Sequence, residues 1–297
     1  MNYLQLSQRK EKLAALFFGF CGFISLFVTV GIILVLAFET IGFFTQVNFF
    51  AFISGDTWAP FFSAKQFGVL PLVSGTMLVF AIALIVALPL GLLISVFISE
   101  YSHAKFQAFI KPILEILSGI PTIIYGYFAL FTVTPLLQRI IPGLSGFNAL
   151  SPGIVMGIMI LPLIVSLSSE SLSAVPADIK MAGYALGSSR LQVTFGITLP
   201  MAASGIIAGI ILAASRAIGE TMLVTIAAGM RPELTLNPLV PIQTITAYIV
   251  QVSLGDTPAG SLEYQSIFAV ASVLFIITLA CNIIAQRLRH NFKSRYG

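Results

Sequence analysis

Charged residues interrupt this sequence so rarely that it reads as a series of apolar blocks. The uncharged stretches run from Leu13 to Phe38, Gln66 to Ser99, Ile116 to Gln138, Ile140 to Ser169 and Leu191 to Ser215. A further apolar run from Ala217 to Arg231 follows close behind, and the last is Tyr264 to Gln286. A helix rises about 1.5 Å per residue, so roughly 20 apolar residues cross the hydrocarbon of a bilayer. The pattern predicts an all-α membrane protein with six transmembrane helices, centred on Val28, Ala83, Tyr125, Met159, Arg216 and Phe275. The fifth helix has to run through Arg216 and Glu220, from about Ala202 to Met230. Pro89, Pro121 and Pro162 fall inside other spans, where neighbouring helices can satisfy the freed backbone groups.

Composition points the same way. Of 297 residues, 58% are hydrophobic and 9% charged, where a soluble domain carries about 25% charged residues. That is too little charge to clothe a soluble surface, which argues against a soluble enzyme, a DNA-binding module, a disulfide-rich secreted domain and a disordered chain. Cys21 and Cys281 lie singly in apolar runs at opposite ends of the chain. Neither has the spacing of a metal or redox site, and both read as inert thiols. The first run, Leu13 to Phe38, exceeds the roughly 7 to 15 residues of a signal-peptide core and is expected to remain as a span.

The net charge of +4 is no sign of nucleic-acid binding, because the basic residues lie at membrane edges. Arg9, Lys10, Lys12, Lys105, Lys111, Lys180, Arg190, Arg287, Arg289, Lys293 and Arg295 fall on one side of a six-span chain, and only Lys65, Arg139 and Arg231 on the other. The positive-inside rule then places both termini and the long loop near 168–201 in the cytoplasm. The expected organisation is a cytoplasmic tail (1–12), a first transmembrane helix (13–38), an aromatic segment outside (39–67), a core of five helices (68–287) and a basic cytoplasmic tail (288–297). Segment 39–67 holds Phe43, Phe44, Phe49, Phe50, Phe52, Trp58, Phe61 and Phe62, and is expected to lie at the outer leaflet, where aromatic rings favour the headgroup zone. Ile242, Ile245, Ile249 and Val250 predict a short surface helix in the outer loop between Arg231 and Glu263.

Nucleotide chemistry is absent: no GxxxxGK[ST] loop occurs, so this chain cannot cradle ATP phosphates by that route. His103 and His290 are isolated in basic loops, and neither Gly187-Ser188-Ser189 nor Leu144-Ser145-Gly146 reads as a nucleophile elbow. No catalytic residue, cofactor or metal is therefore expected. The oddity is the loop before span five, which is longer than a connection needs. Pro176 and Asp178 can open a helix there, Ala182 to Leu186 continue it, and Gly187 stops it before a second piece that ends at Pro200. Periodicity alone allows either an interfacial helix pair or a docking element for another protein.

The order Ala182, Gly187, then Ile197-x-Leu199-Pro200 resembles the cytoplasmic loop of the membrane subunits of type I ATP-binding-cassette importers, the MetI-like architecture. The resemblance implies that Pro176, Ala182, Gly183, Gly187, Leu199 and Pro200 couple this chain to an ATPase subunit. The family usually begins the motif with Glu-Ala-Ala, where this chain has Met181-Ala182-Gly183. Ser118-Gly-Ile-Pro121, Met159-Ile-Leu-Pro162, Leu172-Ser-Ala-Val-Pro176 and Ser215-Arg216-Ala-Ile-Gly219-Glu220-Thr221-Met222 are similar to permeases of the bacterial phosphate importer. Trp58-Ala-Pro60, Phe67-Gly-Val-Leu-Pro71 and Gly75-Thr76 resemble the C-type chain of that importer more than the A-type.

Arg216 falls near the middle of the expected fifth helix, where a lone Arg costs about 2.5 to 3.5 kcal/mol on insertion scales. Glu220, four residues on, would share its face. One reading is an internal ion pair that holds the bundle together. The other is a pathway site in which the Arg216 guanidinium meets a passing oxyanion while Glu220 balances its charge, with Thr221 beside them. The two readings are compatible.

The resemblance implies a permease subunit in the bacterial inner membrane that forms the pathway of an ATP-driven phosphate importer and carries out no bond chemistry itself. Its implied partners are a second permease chain (an A-type homologue or a second copy), two ATPase subunits, an extracytoplasmic phosphate-binding protein and membrane lipid, with no nucleic acid. A permease for sulfate, molybdate or tungstate is the nearest alternative. A secondary transporter, which would show two related halves, is a further one.

Overall fold

The computed structural model describes residues 3–296, with side chains over 11–287 except that of Ala104. Met1, Asn2 and Gly297 lie outside the described residues, as do the side chains of His290 and of Arg9, Lys10, Arg289, Lys293 and Arg295, the last five of which carry part of the expected orientation. The chain opens with α1 (Tyr3–Phe44), a short α2 (Phe49–Ser54) and a two-stranded hairpin, β1 (Trp58–Ala59) with β2 (Gln66–Phe67). Then follow α3 (Leu70–Val96), which ends in a π turn Phe97–Tyr101, and α4 (Ala104–Gly119). Next come α5 (Thr122–Phe128), a π turn Ala129–Val133, α6 (Thr134–Gln138) and α7 (Leu150–Ser173). The rest comprises α8 (Ala177–Ala185), α9 (Arg190–Val193), a π turn Thr194–Thr198, α10 (Leu199–Ile218), α11 (Met222–Ala227), α12 (Ile245–Ser253) and α13 (Leu262–Tyr296).

Among the described residues, five helical stretches are long and apolar enough to cross a bilayer: Glu11–Phe44, Leu70–Tyr101, Leu150–Ser173, Arg190–Ile218 and Leu262–Arg287. The expected third span is not one straight helix. Lys105–Gly119 and Thr122–Gln138 meet at 90°, because Ile120 is extended (φ −67°, ψ 127°) ahead of Pro121, which caps the next helix. Pro121 thus lies at a corner and not inside a span, unlike Pro89 and Pro162. The Tyr125 hydroxyl donates to the Leu117 carbonyl at 2.7 Å and braces the corner from within.

The centre of the bundle is α3 against α7. They approach closely enough that a Cβ on Gly157 would stand 2.9 Å from the Ala83 carbonyl oxygen. Val79, Ala83, Ala87, Val155, Met156, Ile160 and Ile164 fill this core. Thr40 near the end of α1 bonds Ser272 of α13 at 2.8 Å, so the first and last helices are antiparallel neighbours. Most of α1 is otherwise bare, with no buried residue in its most apolar stretch.

At the end of the bundle holding the hairpin, the aromatic segment departs from expectation. Phe43, Phe52, Trp58 and Phe67 are buried, joined edge to face, with Trp58 4.8 Å from the Tyr248 ring of α12. Only part of the set, including Phe50, Phe61 and Phe62, is exposed. The hairpin and α12 roof this cluster, so the rings fill a core instead of lying flat on a leaflet. The helix expected in this outer loop forms as α12, but Ile245, Tyr248 and Val252 are buried beneath it.

Candidate functional site

The expected continuous fifth helix breaks. α10 ends at Ile218, Gly219 leaves the helical conformation, and α11 restarts at Met222. The Glu220 carboxylate accepts from the Leu223 amide at 3.2 Å and caps α11, and its carbonyl accepts from the Thr246 hydroxyl at 2.7 Å. Glu220 is buried while Arg216 is exposed, and among the described residues no ion pair joins them. The expectation that they share a helical face is therefore corrected, because the break turns the chain between them. Thr221 occupies the capping position of α11 and donates to the Gly219 carbonyl at 3.1 Å.

Arg216 sits in the last turn of α10. On α7, Ser171 lies against Gly205 and Leu167 against Gly209, so the two helices run antiparallel. Ser215 donates to Asn282 of α13 at 2.7 Å, and Ala213 and Ala217 are buried in the core. With those positions anchored, Arg216 projects into a cavity of about 440 Å³ that it shares with Met159 and Pro162, near the midpoint of α7. The cavity extends to Ser173 at the end of α7, roughly 20 Å of helix rise away.

Its walls mix two cations, Lys111 and Arg216, with two carboxylates, Glu115 and Glu170, and the hydroxyls of Ser118, Ser166, Ser169 and Ser173. Ser118 and Ser169 donate to main-chain carbonyls of their own helices at 2.8 and 3.0 Å, so their protons reach the cavity only by rotation. Its charged donors are the two cations. A planar guanidinium from α10 and an ammonium from α4 on one cavity suit a tetrahedral oxyanion. Among the described residues no group of three or more His, Cys, Asp or Glu side chains is placed to hold a metal.

The loop that follows Ser173, where the cavity ends on α7, is the second feature. Pro176 caps α8, and Gly187 turns the chain with φ +81°. Ser189 then opens α9 with a reciprocal capping box to Gln192. Ala182 is exposed while Gly183 is buried, and a Cβ on Gly183 would stand 2.7 Å from the tip of Ile197. Leu199 and Pro200 do not form an exit, as the sequence suggested. The second piece runs on through the π turn into α10, and both residues sit in its first turn. Met181, Leu186, Leu191 and Phe195 are exposed around Gly187, Leu186 at 88%. The sequence reading missed Glu100, Lys111, Glu115, Glu170 and the serines. The run Ser166 to Ser173, five serines with a Glu at the end of an apolar helix, was the available signal.

Residues 87–297 match the family described as binding-protein-dependent transport system inner membrane component. The phosphate transport system permease protein PstC of Mesorhizobium japonicum is 33% identical over 84% of this chain and 80% of its own. PstC of Xylella fastidiosa (strain Temecula1) is 32% identical over 85% and 82%. Among solved structures, a bacterial ABC transporter importing the acidic polysaccharide alginate superposes with a TM-score of 0.59 at 16% identity, covering 88% of this chain and 92% of that one. The inward-facing MetNI methionine ABC transporter gives 0.56 at 17%, covering 76% and 94%. These two likenesses concern the fold.

Proposed function

We propose, because this chain belongs to the binding-protein-dependent transport system inner membrane components, that it forms the translocation pathway of an ATP-driven phosphate importer. The observation that carries the reading is Arg216, exposed beside Met159 and Pro162 in a cavity whose other cation is Lys111. Phosphate leaving an outer binding protein meets the guanidinium fork, then passes the hydroxyls of α7 towards the mouth. Glu115 and Glu170 keep the cations from holding it too tightly, since conduction needs release as much as capture. Relatives named as phosphate permeases support phosphate over other oxyanions.

The side carrying the α8 loop faces the cytoplasm in this reading, with the basic tails beside it. The exposed apolar rim of Met181, Leu186, Leu191 and Phe195 docks on an ATPase subunit. Two such subunits serve a pair of permease chains, the second an A-type homologue or another copy that covers the open face beside Arg216. The chain itself makes and breaks no bonds. ATP-driven closure of the ATPases shifts the pathway between outward and inward opening.

The test is reconstitution with the ATPase and binding protein in liposomes, followed by uptake of labelled phosphate on adding ATP. Competition by unlabelled phosphate, but not by sulfate, molybdate or tungstate, is expected. Uptake blocked by sulfate would move the assignment to another oxyanion.

A further inference from the structure

Two cations of the loop, one on either side of Gly187, land on the same five-residue turn. Lys180 of α8 reaches the Glu100 carboxylate at 2.7 Å, and the Arg190 guanidinium at the start of α9 lies over the Tyr101 ring, 4.9 Å from its centroid. Glu100 and Tyr101 both belong to the π turn that ends α3. π turns concentrate at functional sites. An ion pair between exposed side chains transmits little, because each partner moves freely and water screens the attraction. This pair is different: the Glu100 side chain is 5% exposed and that of Lys180 18%. Further hydrogen bonds fix both ends. Ser99 donates to the same carboxylate at 3.3 Å, and the Lys180 ammonium also donates to the Leu172 carbonyl in the last turn of α7, at 3.3 Å.

We infer that Lys180 and Glu100 are positioning residues of the coupling step. They strap the loop to the ends of α3 and α7, so that a displacement imposed on α8 moves the walls of the cavity with it. The π turn is well placed for this. Ile98 in the same turn lines the cavity, and its carbonyl accepts from Gln107 of α4 at 2.8 Å. A push on Lys180 thus reaches α4 and α7, which carry Lys111, Glu115 and Glu170, as well as α3. Without the strap, the loop would be joined to the bundle through Arg190 over Tyr101 and through its chain connections, the short link after α7 and the start of α10.

The inference rests on the loop being the ATPase-docking element, and the experiment separates the two ideas. Glu100→Gln, Lys180→Met, Lys180→Arg and the charge reversal Glu100→Lys with Lys180→Glu are each assembled with the ATPase and binding protein in liposomes. Co-purified ATPase reports docking, and phosphate imported per ATP hydrolysed reports coupling. The two neutralising variants are expected to keep parental ATPase co-purification while import per ATP falls about tenfold or more, since a buried partner is left unpaired. Lys180→Arg and the double reversal should recover most of it. Lys180→Met carries the test if Glu100→Gln fails to insert, because Lys180 lies outside the spans. Parental import per ATP in Lys180→Met, or a double reversal and Lys180→Arg as poor as the neutralising variants, overturns the strap. Loss of ATPase from the neutralising variants overturns it too, by assigning the pair to docking.

Discussion

The Thr246 hydroxyl donates to the Glu220 carbonyl at 2.7 Å, and both residues are buried. This one bond joins α12 to the break between α10 and α11, four residues beyond Arg216. Thr246→Val keeps the shape and deletes the donor, leaving a buried carbonyl without that partner. A loss of about 1 to 3 kcal/mol is expected, seen as a lower melting temperature of the detergent-solubilised complex. An unchanged melting temperature would show that the break holds without this bond.

Arg216→Ala should bring phosphate uptake to background while the complex still assembles, since the residue is exposed and no described ion pair depends on it. Arg216→Lys should retain a fraction at best, because a point charge lacks the bidentate geometry. Uptake assays on purified, reconstituted variants decide this, and normal transport by Arg216→Ala would remove it from the pathway.

Gly187 has φ +81°, a conformation that a β-branched residue reaches only with strain of about 1 to 3 kcal/mol. Gly187→Val is therefore expected to shift α8 relative to α9, giving a stable membrane subunit with less co-purifying ATPase or with ATP hydrolysis no longer stimulated by the binding protein. Parental values of both would mean that this turn does not serve docking.

Gly183 makes a graded test of the same loop. An added Cβ would meet the tip of Ile197 at 2.7 Å and a Val193 methyl at 3.1 Å; the Ile197 tip can rotate aside, and the Val193 contact needs only a small shift. Gly183→Ala should thus be tolerated with ATPase co-purification unchanged, whereas Gly183→Leu should lever α8 off its seat, and adding Ile197→Ala should restore part of the loss. If Gly183→Leu behaves like the parent, α8 does not depend on that contact.

Orientation is checked with single cysteines in a background lacking Cys21 and Cys281. Asp56 and Asp256 positions should react with an impermeant thiol reagent applied outside intact cells, and Lys105 and Arg190 positions should not. Labelling at Arg190 from outside would invert the chain in the membrane.

Hydropathy alone located α1, α3, α7, α10 and α13, because a stretch that must avoid charge over about 20 residues leaves an unmistakable record. It failed where the backbone breaks inside a stretch apolar enough to read as one span. Gly119-Ile120-Pro121 and Gly219-Glu220-Thr221 carry ordinary helix stop and start residues, yet both were absorbed into apolar runs. The positive φ at Gly187 and the cap at Pro176 were readable because local chemistry sets them. Glu100 against Lys180 was not, since nothing in their separation of 80 positions records that the π turn after α3 and the start of α8 lie side by side. The cavity is of the same kind, as its walls come from three separate stretches of chain.

The pairing of α1 with α13 sets an order of assembly. Thr40 and Ser272 are 232 positions apart, and translation proceeds at about 5 to 20 residues per second. Once made, α1 therefore spends at least ten seconds or so without its main packing partner, until α13 emerges. A chain stopped short of Leu262 would leave α1 free to pair with any helix that offers a similar face, so it is the late arrival of α13 that commits α1 to its own bundle.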